Sequence, residues 1–176
     1  AFVMGGTAYI TKADIQAGGT TAFSVWTNAN VTFEGTNEDI QVIGDSTGLA
    51  IETGGTNPAL SVTINGGTFK GTDESNTNTN GIWYGNSNAK LTITNGYFEG
   101  ARRSGLLFGA VPNENNVQLS GGTYYGPDNS VYWESRFDYG NYITTNAIAG
   151  ESNLSYRTIA SNCSVVGYTE LGDNLV

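Results

Sequence analysis

A passage of about ten residues recurs along the chain, and this repeat constrains the fold more than any other feature. Full copies occupy Val62–Gly71, Leu91–Gly100 and Val117–Gly126, and a shorter copy begins at Val31. The equivalent positions Phe33, Ile64, Ile93 and Leu119 are separated by 31, 29 and 26 residues. Repeat lengths in this range are typical of solenoids, in which each unit buries its apolar side against the next unit.

A second short apolar segment precedes each copy at a similar distance. These segments are Phe23-Ser-Val-Trp26, Leu49-Ala-Ile-Glu52, Ile82-Trp-Tyr84 and Leu106-Leu-Phe108, joined to the repeats by connectors rich in Gly, Asn, Thr and Ser. Such connectors favour bends because Gly and Asn tolerate positive φ. We therefore predict an all-β right-handed parallel β-helix (a β-solenoid) with coils of about 26–31 residues. An antiparallel β-sandwich is the alternative, but it gives no reason for the same spacing to recur.

The alternation within each repeat predicts which side chains face the bore. Three apolar rows are expected: Val62/Leu91/Val117, Ile64/Ile93/Leu119 and Phe69/Phe98/Tyr124. Thr63, Thr92 and Gln118 should face outward, and Lys70 and Glu99 should be neighbours on adjacent coils. Gly67/Gly96/Gly122 and Gly71/Gly100/Gly126 are expected where the chain turns between faces.

The charge and composition exclude several classes of protein. The formal net charge is −9, with seven Lys plus Arg against sixteen Asp plus Glu, so a nucleic acid is not an expected partner. No apolar run is long enough to span a bilayer, and we expect no membrane insertion by this segment. The absence of His excludes Ser-His and Cys-His nucleophile pairs, and the single Cys163 is expected to be a small buried side chain.

The three full repeats resemble the coils of bacterial cell-surface right-handed parallel β-helix (pectin-lyase-like) domains with GGTF-type repeats. Gly5–Ile15 with Ala29–Phe33 is similar to the first coil of such domains, and Gly167–Val176 to their terminal strand. The resemblance implies an extracellular location, secreted or anchored at the cell surface. It does not imply catalysis, because β-helices support many functions. Residues 1–10 lack the features of a signal peptide, and the chain begins with Ala1, as expected of a mature or excised segment.

One domain is expected over residues 1–176. We expect residues 1–47 to form an N-terminal coil and cap, 48–126 the regular coils, and 127–176 an irregular aromatic insertion followed by a C-terminal cap.

The sequence offers few residues in a pattern that favours catalysis or metal binding. The acidic residues are scattered rather than grouped at equivalent positions of adjacent coils, and Arg102-Arg103 is expected to be a surface or structural pair. No cofactor is predicted. The segment Asn76–Asn80 lacks the acidic ligands of an EF-hand, which leaves a Ca²⁺ ion held elsewhere by Asp and Asn oxygens as an open alternative.

The strongest site hypothesis falls on an aromatic segment that breaks the repeat. Aromatic rings stack on sugars, and Tyr and Arg also favour protein contacts, so we predict a ligand-binding site; the alternative is that the segment caps the solenoid. Its residues are Tyr125, Tyr132, Trp133, Arg136 and Tyr139. The function expected from the sequence is a non-catalytic surface module, structural or adhesive, that presents a rigid β-helix to a cell-surface glycan or protein and can self-associate through its ends. The alternative is a polysaccharide lyase or glycosidase acting on an acidic glycan.

Overall fold

The computed structural model describes residues 1–52, 60–110, 116–126, 131–133 and 163–166. These residues contain no helix, and therefore no helix long and apolar enough to cross a bilayer. They form thirteen strands: β1 (Phe2–Ile10), β2 (Ala13–Ala17), β3 (Thr21–Phe33), β4 (Ile40–Gly44), β5 (Thr47–Ile51), β6 (Ser61–Gly71), β7 (Asn80–Tyr84), β8 (Lys90–Gly100), β9 (Ser104–Phe108), β10 (Val117–Leu119), β11 (Gly122–Tyr125), β12 (Val131–Trp133) and β13 (Cys163–Val166).

Every pairing between these strands is parallel, and each strand pairs with its equivalent on the next coil. The predicted β-solenoid is thus confirmed, with about four turns. The sandwich alternative is wrong, because it requires antiparallel neighbours.

Each coil passes through three faces in the order A, B, C. Face A contains the first halves of β1 and β3 with β5, β7, β9 and β12. Face B contains the second halves of β1 and β3, the first halves of β6 and β8, and β10. Face C contains β2, β4, the second halves of β6 and β8, β11 and β13. Four strands, β1, β3, β6 and β8, are long because each bends around a corner and serves two faces.

The core consists of rows of apolar side chains that run along the solenoid axis. On face B, Phe33, Ile64, Ile93 and Leu119 occupy successive rungs in register, and all four are buried. The rows Val62/Leu91/Val117 and Phe69/Phe98/Tyr124 are equally buried and in register. All three predicted rows are therefore confirmed. Face A adds two buried rows, which include Leu106 and Phe108.

Stacked aromatic rings form the part of the core beneath face C. The ring centroids of Phe69 and Phe98 are 5.6 Å apart with an interplanar angle of 15°, and those of Phe98 and Tyr124 are 5.0 Å apart at 21°. The buried Tyr124 hydroxyl donates to the carbonyl oxygen of Gly121 at 3.0 Å, so its polar atom is satisfied. The stacked rings therefore follow the same register between coils as the hydrogen-bonded strands.

Glycine forms the corner between faces B and C. Gly67, Gly96 and Gly122 have φ of 114°, 133° and 104°, in the region that disfavours residues with a Cβ atom. The chain turns there and then enters face C. This confirms the expectation for Gly67, Gly96 and Gly122.

The structure also shows a strand that the repeat pattern does not reveal. Val131, Tyr132 and Trp133 pair with Leu106, Leu107 and Phe108, so β12 continues face A by one further rung. The equivalent strands β5, β7 and β9 carry Gly as their second residue, whereas Ser130 stands before Val131. With only three paired residues and no glycine, the strand has too weak a pattern to be recognised in sequence.

Candidate functional site

The predicted site residues lie on more than one face. Tyr125 ends β11 on face C, whereas Tyr132 and Trp133 belong to β12 on face A. Arg136 and Tyr139 lie outside the described residues. The register places Tyr132 opposite Leu107 and Trp133 opposite Phe108. Tyr125 is therefore the predicted residue around which a side-chain site can be built.

The outward side of face C carries a cluster that we call the face C patch, made of Lys70, Tyr97, Glu99 and Tyr125. Lys70, Glu99 and Tyr125 occupy the same register position on three successive rungs. Adjacent rungs lie about 4.8 Å apart, which is close enough for long side chains to meet. Stacking of equivalent coils, rather than proximity in sequence, thus creates this patch.

Lys70 and Glu99 form an ion pair across two rungs, as the sequence predicts. Lys70 Nζ lies 2.8 Å from Glu99 Oε2, and the two side chains are 31% and 26% exposed. Lys70 Nζ also lies 5.0 Å from the ring centroid of Tyr97, within the range of a cation–π contact. The ammonium group is therefore held between a carboxylate and an aromatic ring.

Tyr97 is electrostatically coupled to the rest of the patch. Burial, then the charge of Glu99, then a hydrogen bond with Glu99 raise the pKa of Tyr97 to about 12, with a further contribution from Tyr125. The Tyr97 hydroxyl consequently stays protonated at neutral pH and can donate. It is not a general base, because a base must lose its proton near the working pH.

The described strands offer little acid/base chemistry. Their carboxylates are Asp14 and Glu99, both on face C but three rungs apart and in different rows. A pair of carboxylates flanking a glycosidic bond needs a separation of about 5–10 Å, and three rungs already span about 14 Å. Asp14 and Glu99 thus do not form the carboxylate pair that a glycosidase requires.

Other described acids stabilise turns. Asp73 accepts hydrogen bonds from the backbone N–H of Ser75 at 2.8 Å and from its hydroxyl at 2.6 Å. These bonds lower the pKa of Asp73, and hydrogen bonds from Thr36 lower that of Asp39. A general acid needs a raised pKa instead.

The two arginines singled out in the sequence, Arg102 and Arg103, make hydrogen bonds within the fold. Arg102 is exposed and its backbone N–H donates to Thr79 Oγ1 at 2.6 Å, whereas the Arg103 guanidinium donates to Asn78 Oδ1. The Arg103 guanidinium is thus bonded to the Asn78 side chain of the preceding connector. Within the described residues there is no group of three or more His, Cys, Asp or Glu side chains that could hold a metal ion.

Comparison of the chain with protein-family models, with curated proteins and with solved structures gave no match. The resemblance to cell-surface β-helices thus rests on the coil repeats alone. The function has to be argued from the geometry of the outward faces.

Sequence reasoning paired Lys70 with Glu99 but did not recognise Tyr97 as their partner. The missed signal lies in the alignment of the repeats, where Thr68, Tyr97 and Thr123 share one outward position. An aromatic ring that replaces Thr beside an aligned Lys–Glu pair indicates a patch rather than a uniform polar wall.

Proposed function

We propose that the chain is a non-catalytic extracellular surface module of the pectin-lyase-like β-helix type, and that it binds a glycan through the face C patch. The observation that carries the proposal is the Lys70–Glu99–Tyr97 network beside Tyr125 on a flat parallel sheet. The coil repeats that resemble those of bacterial cell-surface domains support the extracellular location.

Preorganisation is the main physical argument for binding at this patch. Lys70 and Glu99 contact each other directly, and Tyr97 contacts Lys70 with its ring and Glu99 through a hydrogen bond. Side chains that are ordered before a ligand arrives lose little further conformational entropy on binding. The cluster therefore presents fixed donors and acceptors next to aromatic surface.

The chemistry of the patch fits a saccharide. Tyr97 and Tyr125 are half-buried, so each exposes part of an aromatic ring that is amphipathic. Sugar rings present C–H groups on their faces and hydroxyls at their edges. The charged oxygens and nitrogen of Glu99 and Lys70 can make charge-assisted hydrogen bonds to those hydroxyls.

The test is a glycan array probed with the purified chain and with matched variants. Tyr125→Ala should weaken binding of the best glycan by at least about tenfold, as expected for an aromatic anchor. Tyr125→Phe keeps the ring and should weaken it by no more than about tenfold, the value of one hydrogen bond.

Thr63→Ala on face B is the control, because Thr63 is half-buried and outward-facing on another side of the coil. It should bind as the unmodified chain does. Full binding by Tyr125→Ala, or binding only to protein partners and to no glycan, would contradict the proposal.

A further inference from the structure

A second aromatic feature lies on face A, away from the face C patch. Trp83 is the fourth of the five residues of β7 and lies between Ala50 on the previous rung and Leu107 on the next. These three residues alternate with the inward residues of their strands and so form an outward row. Ala50 and Leu107 are nevertheless buried, at 1% exposure each, and Trp83 is half-buried.

The indole of Trp83 lies across the backbone of two glycines on successive rungs. A Cβ atom at Gly85 would come within 2.5 Å of Trp83 Cη2, and one at Gly109 within 2.5 Å of Trp83 Nε1. The six-membered ring thus covers Gly85 and the five-membered ring covers Gly109. Any larger residue at either position would displace the indole.

The backbone conformation does not require these two glycines. Neither has a positive φ, and their N–H groups bond normally to the carbonyl oxygens of Ile51 at 2.8 Å and Tyr84 at 3.0 Å. The lower coils carry Trp26 and Glu52 at the equivalent position. Glycine therefore occurs where the indole ring needs space. One face of the indole rests on the sheet, and the part of the ring that remains exposed points away from it.

Polar and aromatic groups continue this surface down the axis. Glu52 lies one rung below Gly85, and Ser24 Oγ donates to Glu52 Oε1 at 3.1 Å. Trp26 follows one rung further down and is 36% exposed. We call Trp26, Glu52 and Trp83 the face A strip. It contains two indoles, with a carboxylate held between them.

We propose that the face A strip is a binding site for a neutral oligosaccharide, with a pyranose ring stacked on the exposed part of the Trp83 indole and its hydroxyls donating to Glu52. The flat indole matches the C–H face of a sugar ring, and the carboxylate accepts strong hydrogen bonds.

The charge and polarity of the strip disfavour two other classes of occupant, anionic ligands and apolar protein surfaces. Glu52 and the net charge of −9 repel anionic ligands such as uronate polymers. An apolar protein surface would bury the Glu52 carboxylate without compensation, which is costly. The inference shares a saccharide ligand with the proposed function but concerns a different face.

The experiment is a titration of the full chain with neutral hexasaccharides of glucose, mannose and galactose, and with an oligogalacturonate of the same length. The readouts are the dissociation constant and the NMR shift of the Trp83 indole N–H. A neutral sugar should shift this resonance, and the oligogalacturonate should not. Trp83→Ala should weaken the binding of that sugar by at least about tenfold.

A second variant tests the site even if Trp83→Ala does not fold. Gly109→Ala keeps the tryptophan but displaces its ring, and should weaken binding to a similar extent with the thermal midpoint little changed. Gly18→Ala is the matched control, because its nearest contact would be an ordinary 3.8 Å to Asp45 Oδ2.

Each outcome separates this inference from the proposed function. If sugars bind normally to Trp83→Ala and Gly109→Ala but not to Tyr125→Ala, the inference is wrong and the face C proposal stands. If the oligogalacturonate shifts the Trp83 resonance as strongly as the neutral sugars, or if no neutral sugar binds, the inference is wrong.

Discussion

Tyr97 shows how a single side chain connects the fold to the candidate site. The repeat places it outward on face C, where burial and the Glu99 carboxylate, two residues along the same strand, raise the pKa of its hydroxyl. Burial contributes most to the raised pKa, and the Glu99 carboxylate contributes next. Because these causes are separable, the environment of this one hydroxyl can be tested by substitution.

Substitution of Glu99 by Gln should lower the pKa of Tyr97 from about 12 towards its ordinary value of 10.0, without reaching it. The change removes the repelling charge but leaves burial in place. Titration of tyrosine labelled with ¹³C at Cζ measures the pKa directly. A pKa in Glu99→Gln equal to that of the unmodified chain would show that Glu99 does not act on Tyr97.

The same shift has a consequence for stability at alkaline pH. The pKa of Tyr97 is raised in the folded state, so its contribution is complete below pH 10 and is lost as pH rises towards about 12. The free energy of unfolding should therefore fall over that range, and less steeply in Tyr97→Phe. Urea unfolding at a series of pH values tests this. Parallel curves for the two proteins would contradict the assignment.

At the scale of the element, each coil contributes one residue to every core row, and Ile93 is the central member of its row. It is fully buried between Ile64 and Leu119. Loss of its side chain leaves a cavity that the flanking coils cannot easily fill, because their positions are fixed by register.

Ile93→Ala should reduce the free energy of unfolding by about 2–5 kcal/mol, through lost transfer energy and the cavity. Thr92→Ala, one residue earlier and facing outward, is the control and should change it by less than about 0.5 kcal/mol. Chemical denaturation measures both. A loss below about 1 kcal/mol for Ile93→Ala would mean that this row does not carry the core.

The ion pair between β6 and β8 should contribute little to stability despite its short distance. Both partners are partly exposed, so solvent screens the attraction. A double-mutant cycle with Lys70→Ala and Glu99→Ala should give a coupling of no more than about 1 kcal/mol that falls as salt is added. A larger coupling that is insensitive to salt would contradict this view of the pair.

Much of the fold could be predicted from the sequence, because stacked coils require the same spacing of apolar residues in every repeat. Ile64, Ile93 and Leu119 had to share a row once the spacing was recognised, and Lys70 had to meet Glu99. β12 was not predictable, because three residues without the usual glycine carry too little pattern. The indole position of Trp83 was also hidden, because Gly85 and Gly109 follow different strands and only the folded coils bring them under one ring.

At the scale of the whole molecule, the solenoid is a rigid support whose outward faces differ in chemistry. Face C carries the Lys70–Glu99 pair with two tyrosines, and face A carries the tryptophan strip. The hydrogen bonds between rungs, such as Asn65 to Glu34 at 2.5 Å and Thr94 to Asn65 at 2.7 Å, also order the polar surface of face B. Such a support favours recognition by fixed groups rather than by moving loops.

We propose that the module binds a saccharide without converting it. The most direct measurement incubates the chain with neutral and acidic oligosaccharides under conditions where binding has been established, and follows the ligand by mass spectrometry. We expect saturable binding, with every oligosaccharide recovered at its original mass. Shortened products, an unsaturated product of lyase chemistry, or no binding to any oligosaccharide would contradict it.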